Sequence, residues 1–251
     1  MRKYFSVFYL TSRQSFYKII ALMCISGVVQ YMFFQNELDA LSSFNSSNLT
    51  GYRDLERVTS LSAINVIYAA TVVAVLVLLT ITGTAFGSKC NYTIKRLFVS
   101  EKAYFYIQSI YNIIVLVFLL GFEILLTFVF SNMYIAVANK DFISNQSIFL
   151  AYYRNDFLHS LLPLADTLII IRNALQIFAL SIAASFFSYK QRRGKKSVAV
   201  IFLTVFSIIW NLGEIGGSLS VILTYLICAA ITAFIIIYVK NGWGENDDYY
   251  D

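Results

Sequence analysis

Apolar residues form six long runs along the chain, and shorter segments that carry most of the charge separate them. A helix needs about 20 mostly apolar residues to cross the ~30 Å hydrocarbon layer of a bilayer. The predicted transmembrane helices cover residues 18–36, 62–86, 104–131, 164–188, 197–213 and 218–239. The pattern therefore predicts an all-α, polytopic membrane protein with six transmembrane helices in one transmembrane domain, residues 1–251.

The segment before the first apolar run, residues 1–17, has helical spacing of its own. Phe5 and Phe8 begin an apolar stripe that continues to Phe16, while basic residues such as Arg13 lie on another face. Such a pattern is typical of a helix on a membrane surface, with lipid phosphate facing the basic side. The alternative is that the first span simply starts with basic anchors.

A second short segment, residues 91–102, lies between the second and third runs. Its residues Thr93 to Lys102 would form about 15 Å of helix at 1.5 Å per residue, which is too short to span a bilayer. The apolar face at i, i+3 and i+4 consists of Ile94, Leu97 and Phe98. The residues left for a soluble partner are Lys95, Arg96, Val99, Ser100 and Glu101. We predict a cytoplasmic docking helix here; a charged loop that only fixes topology is the alternative.

On the other side of the membrane, residues 145–162 are too aromatic for a free loop and too charged for a span. We predict an outer interfacial helix that ends at Pro163. His159, the only histidine, lies in it, and a single histidine at a water interface is usually a surface or capping residue. The acidic tail, residues 240–251, is predicted to be solvated.

Composition and charge agree with this arrangement. The chain is 59% hydrophobic and 13% charged, so it lacks the polar surface of a soluble globule. With a cytoplasmic N-terminus, 14 of the 19 Lys and Arg residues fall inside, four outside and one within a span. Positive charge concentrates on the cytoplasmic side of membrane proteins. The distribution predicts both termini in the cytoplasm of a cell-membrane protein, and it explains the net charge of +5 without nucleic acid.

No catalytic chemistry is indicated by the sequence. The three cysteines have no paired spacing, and no set of residues predicts a metal site, a cofactor site or a nucleophile with its base. The phosphate-binding loop motif, Gly, four residues, then Gly-Lys-Ser/Thr, does not occur. The chain is predicted not to be an enzyme, so ATP hydrolysis would require another subunit.

Two charged residues lie inside predicted spans, Glu123 in the third and Arg172 in the fourth. Each is eight residues from the predicted outer end of its helix, so both would lie about 12 Å below the outer surface. An unpaired charge in lipid is expensive, which predicts an ion pair between them. The other interpretation is a role on a substrate path.

The order of segments resembles that of the membrane subunits of ABC-2-type exporters. The residues that carry the resemblance after the second run are Lys89, Tyr92, Thr93, Leu97, Phe98, Ser100 and Lys102, with Tyr92 in place of the family's glycine. The resemblance implies that residues 91–102 are a coupling helix, which rests in a groove of a separate ATPase subunit. It also implies a homodimer or a heterodimer with a second permease, in a bacterial inner membrane.

The fifth run is short, with 14 residues from Ser197 to Trp210, and "NLGEIGG" follows it. A helix of about 21 Å breaks before it crosses a ~30 Å layer. ABC-2-type permeases are similar here, having re-entrant outer helices before the last span. Glu214 is then either an outer gate or a carboxylate in an ordinary tight turn.

The sequence thus predicts the permease subunit of an ATP-driven exporter, which moves an amphiphilic substrate such as a peptide, lipid or drug by alternating access. The alternative is a membrane protein that does not transport, such as a peptide-immunity or sensor-accessory factor. No residue pattern specifies the cargo.

Overall fold

The computed structural model describes residues 2–46, 54–83, 100–137, 145–164, 166–192, 197–212 and 218–241. Of these residues, 94% are helical and none is in a β-strand. The predicted all-α fold class is confirmed for this part of the chain.

Nine helices account for the described ranges. In chain order they are α1 (Arg2–Ser46), α2 (Leu55–Leu61), α3 (Ile64–Gly83), α4 (Glu101–Val137), α5 (Asn145–Arg154), α6 (Asp156–Leu161), α7 (Thr167–Arg192), α8 (Ala199–Leu212) and α9 (Ser218–Asn241).

Five of these helices, α1, α3, α4, α7 and α9, are long and apolar enough to cross a membrane. The fifth predicted span, residues 197–213, coincides with α8, which has only 14 residues. At 1.5 Å per residue α8 is about 21 Å long, which is short of the ~30 Å hydrocarbon layer. The described residues therefore support a multi-pass membrane protein with five full-length spans and one short apolar helix.

The helix α1 is continuous over 45 residues, so the predicted division into a surface helix at 1–17 and a span at 18–36 is not observed. The physical reason is the absence of a helix breaker, since residues 2–46 contain no proline and one glycine, Gly27. At 1.5 Å per residue α1 is about 68 Å long. It extends well beyond the thickness of one hydrocarbon layer.

The helix α4 begins earlier than the predicted third span. Glu101 and Lys102 form its first turn, so they do not belong to a separate docking helix. Ser100 precedes this turn, and its carbonyl oxygen accepts a hydrogen bond from the Tyr104 amide at 3.1 Å. The rest of the predicted docking helix, residues 91–99, lies outside the described residues.

Two helices, α5 and α6, replace the single interfacial helix predicted over 145–162. The break falls at Asn155, whose backbone is extended and whose side-chain oxygen accepts hydrogen bonds from the amides of Phe157 and Leu158. Asparagine is a preferred helix N-cap because its side chain satisfies amides that lack an intrahelical acceptor. The same side chain therefore ends the α5 segment and starts α6.

The long helices pack around α7, which contacts α3, α4, α8 and α9, while α1 packs against α3 and α4. Ala179, Ala183 and Ala184 of α7 are fully buried. Such small residues let helix backbones approach closely in membranes. Near the C-terminal ends of α1 and α4, a separate cluster of buried apolar side chains joins these two helices to the short helices α2, α5 and α6.

Candidate functional site

A seam of buried polar side chains joins α4 to α7. Gln108 of α4 donates from Nε2 to Ser188 Oγ at 3.3 Å. One turn further along, Asn112 Nδ2 donates to Ser185 Oγ at 3.0 Å and to the Ser181 carbonyl oxygen at 3.2 Å. These hydrogen bonds satisfy the side-chain N–H groups of Gln108 and Asn112, which are costly to bury in an apolar bundle. The seam therefore fixes the register of α4 against α7.

The seam continues to the end of the bundle where α7 finishes. Arg192 donates from Nε to the Ser188 carbonyl oxygen at 3.2 Å and from Nη2 to Gln108 Oε1 at 3.5 Å. Its guanidinium also lies 4.2 Å from the centre of the Tyr104 ring. On the other flank, Ser188 Oγ donates to the carbonyl oxygen of Thr80 at 3.2 Å. Three helices, α3, α4 and α7, thus share one polar network.

The helices α1 and α4 also form polar contacts at two positions along their length. The hydroxyl groups of Ser15 and Tyr111 lie 2.7 Å apart, and Gln30 Nε2 donates to Glu123 Oε2 at 3.2 Å. Between these levels Gly27 faces α4, where a Cβ atom would lie 3.2 Å from the tip of the Phe122 ring. The glycine allows the close approach of the two helices.

Glu123 is 1% exposed and Gln30 is fully buried. Beyond this one hydrogen bond, the other carboxyl oxygen of Glu123, Oε1, and the amide oxygen of Gln30, Oε1, have no hydrogen-bond partner among the described residues. Within the described residues, the carboxyl group therefore has an amide as its neighbour instead of a cation.

Arg172 has a different partner from the one that the sequence predicts. It donates from Nε and Nη2 to Asn173 Oδ1 at 3.4 and 3.3 Å, and Asn173 Nδ2 donates to the Ser160 carbonyl oxygen at 2.6 Å. Among the described residues, no ion pair joins Glu123 to Arg172. Each charged side chain instead contacts an uncharged amide.

The register explains why depth alone does not bring the two charges together. Gln108 contacts Ser188, so Glu123, fifteen residues later in α4, is level with Asn173, fifteen residues earlier in antiparallel α7. At this level, however, the carboxyl group of Glu123 faces α1. A cavity lies between α4 and α7 next to this level.

This cavity has a volume of about 90 Å³. Its wall is mainly apolar, with Leu116 and Leu120 of α4 and Ile177 of α7, and Asn173 and Ser207 add polar groups. Among the residues that the structure describes, the Ser207 hydroxyl has no hydrogen-bond partner. The space is large enough for several water molecules, since one needs roughly 10–15 Å³ by this measure.

An apolar groove of about 320 Å³ lies between α3 and α8 and reaches α7. Val73 and Val77 line one side, Ile201 and Val205 line the other, and Thr80 contributes one polar group. The short helix α8 therefore leaves part of α3 uncovered.

The other predicted site residues lie at the edges of this core or outside the described chain. Ile94, Lys95, Arg96, Leu97, Phe98, Val99 and Glu214 are outside the described residues. Ser100 Oγ accepts a hydrogen bond from the Ala103 amide at 3.4 Å, and Glu101 is exposed in the first turn of α4. His159 Nε2 lies 3.0 Å from Asp166 Oδ2, which ties α6 to the start of α7.

The described residues contain no group of three or more histidine, cysteine or acidic side chains that could hold a metal ion. Cys24 and Cys228 are free thiols.

Sequence reasoning missed the network formed by Gln108, Asn112 and the α7 serines. The available signal was spacing: Gln108 and Asn112 are four residues apart, as are Ser181 and Ser185, so each pair lies on one helix face. Polar residues repeated on one face of an apolar helix indicate a face that packs against protein.

Comparison with known proteins returned no matching family model, curated protein or solved structure.

Proposed function

We propose that this protein is the membrane-spanning subunit of an ATP-driven exporter of the ABC-2 type, with both termini in the cytoplasm. A separate ATPase subunit would supply the energy, and the permease would work as a homodimer or with a second permease. Its substrate would be an amphiphile such as a peptide, lipid or drug.

The observation that carries this proposal is the position of α8. An apolar helix of 14 residues stands directly before the last long helix, α9. The resemblance to ABC-2-type permeases requires a shortened element at this place, and a helix of about 21 Å supports it. Glu214, in the segment between α8 and α9, is the proposed outer gate.

The arrangement around the proposed docking segment supports a way of transmitting motion. Residues 84–100 connect α3 to α4, and hydrogen bonds of Gln108 and Asn112 join α4 to α7. A push on the segment by the ATPase would move the first turns of α4. The polar seam would then carry this movement to α7, which contacts the long helices α3 and α9.

In this proposal Lys95, Arg96, Val99, Ser100 and Glu101 contact the ATPase, and Ile94, Leu97 and Phe98 anchor the segment to the bundle. Charge at the rim of a protein interface mainly sets specificity and the rate of association.

Affinity purification in mild detergent tests the proposal. The wild-type protein should co-elute with an ATPase subunit, and the double variant Arg96→Glu with Leu97→Asp should release it. The matched control is Arg57→Glu with Leu61→Asp, at two exposed positions of α2 at the opposite end of the bundle. The control should retain the ATPase.

Retention of the ATPase by the docking variant would exclude residues 91–102 as the contact. If the wild type brings down no ATPase, the exporter proposal fails in favour of a membrane protein that does not transport.

A further inference from the structure

The contact between Gln30 and Glu123 has an unusual pattern of satisfied and unsatisfied atoms. One oxygen of the carboxyl group, Oε2, accepts from Gln30 Nε2 at 3.2 Å. The other, Oε1, and the amide oxygen of Gln30 are both buried, and the described part of the chain places no hydrogen-bond donor on either. A single hydrogen atom between these two oxygens would give both of them a hydrogen bond.

An ionised carboxylate is a poor occupant of this position. Moving a carboxylate from water into a protein interior costs several kcal/mol unless a counter-charge and further hydrogen bonds compensate it. Glu123 is 1% exposed and receives a single hydrogen bond from an uncharged amide. The nearest candidate cation by register, Arg172, donates to Asn173 instead.

The groups that face Glu123 from neighbouring helices supply no positive charge. The helix α1 contributes the neutral Gln30. The helix α3 contributes Tyr68, whose phenol interacts electrostatically with the carboxyl group. A negative charge on Glu123 would therefore be uncompensated in the described structure.

We infer that Glu123 binds a proton and forms a neutral acid–amide pair with Gln30. In this pair Glu123 donates from protonated Oε1 to Gln30 Oε1, while Gln30 Nε2 donates to Glu123 Oε2. One proton satisfies both orphaned oxygens and closes a ring of two hydrogen bonds. The ligand of this site is thus a proton, and the site joins α1 to α4 inside the bundle.

The inference is independent of the exporter proposal, because it concerns only the contact between two helices of this chain. It also differs from the ion pair that the sequence predicts. In the ion pair Glu123 must be charged, whereas in the acid–amide pair it must be neutral. Experiments that separate a carboxylic acid from a carboxylate therefore decide between them.

Infrared spectroscopy of the purified protein at neutral pH provides the direct test. A protonated carboxylic acid has a carbonyl-stretch band well separated from the bands of a carboxylate. We expect the wild type to show this band and Glu123→Gln to lose it. The control Glu56→Gln, on the short helix α2, should retain it.

A second variant tests the partner. Gln30→Leu removes the amide but keeps the carboxyl group, so the acid band should remain and shift to higher wavenumber as its hydrogen bond is lost. A shift in this variant is a result that a merely structural role of Gln30 would not produce. No acid band in the wild type, or an unshifted band in Gln30→Leu, would overturn the inference.

Thermal unfolding gives an independent readout. Glutamine can reproduce both hydrogen bonds of the neutral acid, so Glu123→Gln should melt close to the wild type, whereas Glu123→Leu should melt at a lower temperature. If Glu123→Gln is as unstable as Glu123→Leu, the charge of Glu123 is needed and the proton site is wrong.

Discussion

Replacement of Gly27 by alanine tests the close approach of α1 to α4, and Gly121 offers a matched control. Both glycines lie inside long helices, at positions that are buried or half-buried. A Cβ added at Gly27 would lie 3.2 Å from Phe122 Cζ and 3.6 Å from Leu126 Cδ1. A Cβ added at Gly121 would meet nothing within 4 Å.

Both substitutions change the free energy of unfolding through helix propensity, but only Gly27→Ala also changes it through overpacking. Alanine is favoured over glycine in a helix interior by about 1 kcal/mol, which applies to both sites. At Gly27 the new methyl group must displace the Phe122 ring, and overpacking typically costs about 1–3 kcal/mol. We therefore expect Gly121→Ala to stabilise the protein by up to about 1 kcal/mol and Gly27→Ala to lie about 1–3 kcal/mol below it.

The free energy of unfolding can be measured by titrating detergent-solubilised protein with a denaturing detergent and following helical circular dichroism. The difference between the two variants is the relevant quantity, because the shared helix-propensity term cancels. Equal stability of Gly27→Ala and Gly121→Ala would refute the close packing of α1 on α4. A double variant Gly27→Ala with Phe122→Leu should recover part of the loss, since the shorter side chain makes room.

Three further predictions concern hydrogen bonds. A double-mutant cycle of Asn112→Ala and Ser185→Ala should give a coupling energy of about 0.6 kcal/mol, typical of helix contacts in membranes, and additive losses would exclude their 3.0 Å contact. Asn155→Ala should cost about 1 kcal/mol through loss of the α6 N-cap. Faster hydrogen exchange of the α6 amides would show this effect, and unchanged exchange would contradict it. Tyr152→Phe removes a buried hydroxyl bonded to α4 and should cost about 1 kcal/mol. Tyr153→Phe, at an exposed ring, is its control and should unfold like the wild type.

The sequence predicts most of the long helices because their signal is strong and local. An uninterrupted apolar run of about 20 residues has few alternatives to a membrane-spanning helix. The first and last residues of each helix are less predictable, because hydrophobicity identifies the apolar part of a helix but not where its backbone hydrogen bonds begin and end. Thus α4 continues six residues past Ser131, and α1 continues in both directions from the predicted span.

The partner of Glu123 could not be predicted from depth. Position along a helix axis follows from 1.5 Å per residue, and this places Glu123 and Arg172 at similar levels. Direction around the axis depends on how the helices cross, which hydrophobicity does not encode. In the structure the carboxyl group faces Gln30 of α1, a residue that the sequence gives no reason to single out.

The break at Asn155 was predictable in part. Asparagine followed by an acidic residue and an apolar run is a recognised helix start, and the residues Asn155, Asp156 and Phe157 fit that pattern. The overall aromatic character of residues 145–162 favoured one continuous helix instead. Capping chemistry at a single residue outweighed the average character of the segment.

The polar seam has a consequence for the order in which the bundle assembles during synthesis. Asn112 and its partner Ser185 are 73 residues apart in the chain. At about 5–20 residues per second, the ribosome needs roughly 4–15 s to supply the partner. Until then the amides of α4 have no α7 to bond, whereas Ser15 and Gln30 of α1 are already present. We therefore expect the α1–α4 pair to form first. The amide side chains of α4 then form hydrogen bonds with α7 once α7 has been synthesised.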